Sequence, residues 1–181
     1  MRMSALLVLI TAAVSITGCG ELLSTEPLAT KEDTLFDAGL LGTWFDQDET
    51  VITVKSEKRP VYDILFIGTE EGNRIRLSGQ LVPFGDRQIL DVSDWEGGPF
   101  SIQAHVWIHV QKKGDGIHLQ FLDSKWLQSK LQESGLPFFL ADSHPAITAS
   151  TAKIREFVKE YGTKPEAGGG TIDLIPFKKD K

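Results

Sequence analysis

Between Ile102 and Asp123 apolar and polar residues alternate through most of two strand lengths, and no other stretch constrains the fold of this chain as strongly. Ile102, Ala104, Val106, Ile108 and Val110 share one face, and after Lys112-Lys113-Gly114-Asp115 the residues Ile117, Leu119 and Phe121 share another. A period of two belongs to a β-strand with one buried face, and two such runs joined by a glycine turn predict a hairpin. With the turn centred on Lys113-Gly114, Val110 meets Ile117, Ile108 meets Leu119 and Val106 meets Phe121. All three pairs are apolar, as a hairpin with one buried face requires.

The same signal recurs upstream. Thr50 to Val54 is rich in β-branched residues, and Val61 to Ile67 is nearly all apolar with Asp63 the exception. Ile75, Leu77, Gly79 and Leu81 then alternate with Arg74, Arg76, Ser78 and Gln80. Turn residues separate the runs at Lys58-Arg59-Pro60, Glu70-Glu71-Gly72-Asn73, Pro83-Phe84-Gly85-Asp86 and Glu96-Gly97-Gly98-Pro99. Short strands at such spacing predict an antiparallel meander, sandwich or barrel.

Two helices are expected after the hairpin. Asp123 or Ser124 can cap a helix holding Trp126, Leu127 and Leu131, stopped by Gly135. Thr148 or Ser150 can cap a second with Ile154, Phe157, Val158 and Tyr161 at helical spacing, ending at Gly162. A last strand is predicted over 171–177, with Pro176 suited to an edge or an end. The fold class is thus mainly β (α+β): an antiparallel β-barrel or strongly curved sheet with two packed helices near the C-terminus.

Composition enters as a set of exclusions. The chain has 181 residues, 41% of them hydrophobic and 24% charged, which suits one globular domain. Its net charge of -6 offers no basic footprint for nucleic acid. Nucleic acid is not an expected partner.

The N-terminus has its own logic. Arg2 precedes the apolar run Ala5 to Val14, and Ser15-Ile16-Thr17-Gly18 leads to Cys19, the chain's one cysteine. A ten-residue helix covers about 15 Å, half a bilayer core, so this run is too short to span one. Positive start, short apolar stretch and small residues at the exit mark a secretory signal peptide. Ile16-Thr17-Gly18-Cys19 resembles the lipobox of bacterial lipoproteins, with Ile16 where leucine is usual. That resemblance implies cleavage between Gly18 and Cys19, a diacylglycerol thioether on Cys19 and usually a further acyl chain on its amine. Two or more chains give stable anchoring where one does not. Gly20 in place of aspartate implies transport to the outer membrane if the organism has two membranes. The expected organisation is a signal peptide over 1–18, an acylated N-terminus and flexible tether over 19–38, a β-rich domain over 39–178 and a tail over 179–181. A flexible tether of this length reaches roughly 23 Å.

Gly42-Thr43-Trp44 resembles the Gly-x-Trp motif of lipocalins, whose fold is an eight-stranded barrel around an apolar ligand. The resemblance implies a cation packed on Trp44, supplied by Lys178 or Lys179; the alternative is a Trp44 that simply plugs a β core. Inside a barrel, Trp44, Tyr62, Ile64 and Phe66 are the residues expected to line a ligand site or the core. His105, Trp107 and His109 lie opposite the apolar face of their strand and are expected to meet solvent. The predicted register sets His109 against His118 with Cβ atoms about 5 Å apart. They make a weak metal pair, since zinc needs three or four ligands and Asp115 or Asp123 would have to join. His144 reads as a loop residue. Asp91, Asp94 and Glu96 beside Trp95 have the residue types of a sugar-cleaving pair, but no nucleophile elbow, HExxH, P-loop or dinucleotide fingerprint occurs. No enzyme activity, catalytic residue, metal or cofactor is expected. The function read from the sequence is a membrane-anchored, non-catalytic envelope protein that docks a protein partner or serves a structural role. The alternative is a carrier of a lipid or other small apolar ligand in the barrel.

Overall fold

The computed structural model describes residues 22–69, 74–94, 103–141 and 144–177. After a two-residue strand, β1 (Leu23–Ser24), seven strands follow one another: β2 (Gly42–Phe45), β3 (Val51–Lys55), β4 (Val61–Ile67), β5 (Arg74–Phe84), β6 (Arg87–Asp94), β7 (His105–Lys113) and β8 (Gly116–Leu122). Helix α1 (Ser124–Ser134), the hairpin β9 (Phe138–Ala141) and β10 (His144–Ile147), and helix α2 (Thr151–Phe157) come next. α2 runs on into a wider π turn over Val158–Gly162, and the last strand is β11 (Gly168–Pro176).

Strands β2 to β8 pair in chain order, β11 joins β8 to β2, and β6 pairs with β7, so eight antiparallel strands close into a barrel. Closure follows from the alternation. Leu81, Leu90, Ile108 and Phe121 stand side by side in register and form one inward layer, while Trp44, Ile52, Phe66 and Ile75 form another. At Gly79, an inward position, an added Cβ would come 2.9 Å from Ile64 Cδ1, so neighbouring side chains already fill that space.

The β7–β8 register differs from the predicted one. Val110 faces Leu119, Ile108 faces Phe121 and Lys112 faces Ile117. The turn is the two-residue Gly114-Asp115, with Gly114 at φ 61°, the positive φ that a tight hairpin needs at its first central position. The faces keep their parity, so the apolar side stays inside, but the cross-strand partners change.

The helices lie where the sequence puts them. Asp123 caps α1 by accepting from the Trp126 N–H at 2.9 Å, and Gly135 ends it at φ 67°. Ser150 precedes α2. Both pack on the outer wall of the barrel, where Val82, Phe84, Ile89 and Trp107 meet Leu127, Leu131, Ile154, Phe157 and Val158 in a second core.

The tether expected through residue 38 is corrected by this packing. From Leu22 onward the chain belongs to the body: β1 pairs antiparallel with β7 and parallel with β10, and Leu22, Leu23 and Leu28 are buried. Leu35 then bridges to Leu81, Phe36 stacks on Tyr62, and a 3-10 turn over Ala38–Leu40 seats Leu40 in the barrel core. Each contact uses one or two residues, which is why no apolar stripe marks the segment in the sequence.

Candidate binding cavity

The inside of the barrel holds a void of about 60 Å³ whose lining is wholly apolar. Tyr62, Ile64 and Phe66 line it, as their alternation with outward neighbours on β4 requires, together with Leu40, Ile108 and Leu174. An apolar cavity of about 150 Å³ is what holds a benzene ring, so this one is too small for a fatty acyl chain as it stands. Trp44 is buried beside it, and its Nε1–H donates to the Leu40 carbonyl at 3.0 Å. That bond ties the Gly-x-Trp segment to the turn that covers one barrel mouth. Tyr62 turns its polar end to the rim, where its hydroxyl accepts from the Asp37 N–H at 2.7 Å; burial pushes the phenol pKa up. Lys112 holds Asp37 from the other side at 2.9 Å, closing the same rim.

The outward face of β7 is not a wet face. Trp107 is 1% exposed, and His105 and His109 are buried with it under α2, its π turn and the N-terminal segment. Asp91 organises this layer: one carboxylate oxygen accepts from the N–H groups of Leu28 (2.7 Å) and Ala29 (3.0 Å), and the other meets His105 Nδ1 at 2.9 Å. The sequence offered Asp91 as a carboxylate for chemistry; its position makes it a latch for the N-terminal segment. His109 Nε2 donates to the Gly162 carbonyl at 2.9 Å. Burial lowers the His109 pKa, the bond to Gly162 opposes this, and the nearby Arg87 charge lowers it further.

The metal pair does not form. His109 stands opposite Gln120 and His118 opposite Gln111, because the turn is centred one residue later than expected, on Gly114-Asp115. His118 Nδ1 instead meets Asp173 on β11 at 2.7 Å. Asp123 is committed to the α1 cap. Among the described residues no three His, Cys, Asp or Glu side chains gather as metal ligands. His144 lies in β10 rather than in a loop. Gly18 and Cys19 lie outside the described residues, as do Trp95, Glu96, Lys178 and Lys179.

Sequence reasoning missed the hairpin β9–β10 and the latch. The signal for the first was present as Leu136-Pro137-Phe138-Phe139-Leu140-Ala141, an apolar run without charge that follows the α1 stop. An open groove also runs beside the β7–β8 turn, lined by Lys113, Asp115, Asp173 and Ile175 among others. Compared with protein-family models, curated proteins and solved structures, the chain finds no match in any of the three.

Proposed function

We propose that the mature chain is an acylated lipoprotein, held to the outer membrane of a two-membraned cell through Cys19, and that its barrel serves as a non-catalytic interaction or structural module. The observation that carries the non-carrier half of this reading is the filled interior, whose residual void of about 60 Å³ leaves no room for an acyl chain. The anchor rests on the sequence Ile16-Thr17-Gly18-Cys19 and on the apolar run before it. Cells fed a labelled fatty acid should label the parent protein, and Cys19→Ser should abolish the label and leave a larger, uncleaved product. An unlabelled parent, or label retained in the variant, contradicts the anchor.

A second reading, carriage of a small apolar ligand, is favoured by one observation: the void touches no polar group and is bounded by Leu40, which belongs to a short turn rather than to a strand. Outward movement of that turn would enlarge the void and open a mouth.

A further inference from the structure

The exposed large apolar side chains among the described residues include two adjacent ones on β9, Phe139 at 47% and Leu140 at 56%. β9 is the last strand of its sheet and pairs only with β10 among the described residues. The Thr148 N–H donates to the Pro137 carbonyl at 3.0 Å. By the alternation of an antiparallel ladder, Phe138 and Leu140 therefore turn their backbone groups to the open edge. An edge of four residues that begins after a proline is a poor template for another strand. Its apolar pair needs a different occupant.

The chain's own N-terminus indicates which. In register, Val106, Leu23, Ala146 and Phe139 form one row across β7, β1, β10 and β9. One residue earlier, Leu22 is level with Pro145 and Leu140. β9 is two strand spacings from β1, about 10 Å. Cys19 precedes Leu22 by three residues, a contour of at most about 11 Å. With residues 22 onward fixed in the body, the lipid on Cys19 is held to within a short radius of Phe139 and Leu140. The other exposed apolar pair, Ile175 and Phe177, has no such tie, since β11 pairs with β8 and β2.

We propose that Phe139 and Leu140 form a second membrane contact beside the acylated Cys19, seating the β9 edge on the lipid surface and fixing the orientation of the barrel. The inference rests on the lipoprotein reading above. Adjacent residues of a strand point to opposite faces, so a surface that meets both approaches the strand edge-on, as a lipid plane does. The free backbone groups of the edge stay at headgroup depth, where water satisfies them, while the two side chains reach the acyl boundary.

The test uses the full acylated chain, whose Cys19 thiol is blocked, with one introduced cysteine carrying an environment-sensitive fluorophore. Leu140→Cys and, as control, Ile175→Cys are reconstituted in phosphatidylcholine vesicles with and without brominated acyl chains. Phe139→Cys replaces the first variant if Leu140→Cys melts below the parent. The probe on β9 should shift to the blue and lose emission to brominated lipid, and the probe at 175 should do neither. Equal, water-like emission at both sites, with Cys19 acylated by mass, overturns the inference and leaves the anchor intact. A blue shift that grows with protein concentration and ignores brominated lipid marks a second copy on the edge and overturns it as well. An unacylated Cys19 overturns the anchor reading, and the inference falls with it.

Discussion

Along β7, Val106, Ile108 and Val110 point into the barrel while His105, Trp107 and His109 point out of it, yet both sets are sheltered from water. The two cores they serve are unlike. The inner one is aliphatic and aromatic with a small apolar void; the outer one is built on one large indole and buried polar groups whose partners come from distant segments. The inner core is built by the strands, with Leu40 of the 3-10 turn its one non-strand buried member among the described residues. The outer core needs the N-terminal segment, α1, α2 and β10 to arrive, so it reports on whether the whole chain has assembled.

That difference can be broken from either side. Trp107→Ala removes the largest fully buried side chain among the described residues and should cost about 3–5 kcal/mol in a urea melt, the range for large aromatic deletions in cores. Asp91→Ala strands the N–H groups of Leu28 and Ala29 and should cost about 3 kcal/mol, with early proteolysis of the N-terminal segment. Asp91→Asn keeps an acceptor oxygen and should cost much less; equal losses in the two variants would remove the latch from the account. An added methylene separates the cores again. Val82→Ile in the outer core should cost about 1–3 kcal/mol through overpacking, whereas Val92→Ile, which faces the void, should stay within about 1 kcal/mol of the parent.

The smallest effect is a pH slope. His109 has a folded pKa below its unfolded value near 6.5, so as pH falls through that value the unfolded chain takes up a proton that the folded chain refuses. Stability conferred by the neutral imidazole is present above about pH 6.5 and is lost on acidification, by at most about 1.4 kcal/mol per pH unit. His109→Gln keeps a donor for Gly162 and should flatten the slope between pH 7.5 and 5 in paired urea melts. An unchanged slope would return His109 to the surface role that its place in the alternation suggests.

How much of this was legible in the sequence follows from the same contrast. The inner core could be read because a period of two names its members directly: Ile64, Leu81, Ile108 and Leu119 all stand where alternation puts them. The helix ends could be read because Asp123 and Gly135 act locally. The outer core could not. His105, His109 and Asp91 look wet in a one-dimensional pattern, and what dries them is long-range: the Leu28 N–H donates across 63 positions to Asp91 and the His109 imidazole across 53 to Gly162. The His109–His118 pair failed for a smaller reason, a turn centred on Gly114-Asp115 rather than one residue earlier on Lys113-Gly114, which moved every partner by two without turning a face. The cavity residues Tyr62, Ile64 and Phe66 were found, but the size of the space between them is a property of packing that no pattern carries.

The central claim is that the barrel is filled by its own side chains and that the protein acts through its surfaces. The most direct measurement is a titration of the chain begun at Leu22, without Cys19 and the apolar run before it, with a fluorescent fatty acid. The account predicts no saturable binding at micromolar concentration, and no change when Val92→Ile narrows the void. Saturable one-to-one binding that Val92→Ile weakens would contradict it and make the barrel a carrier.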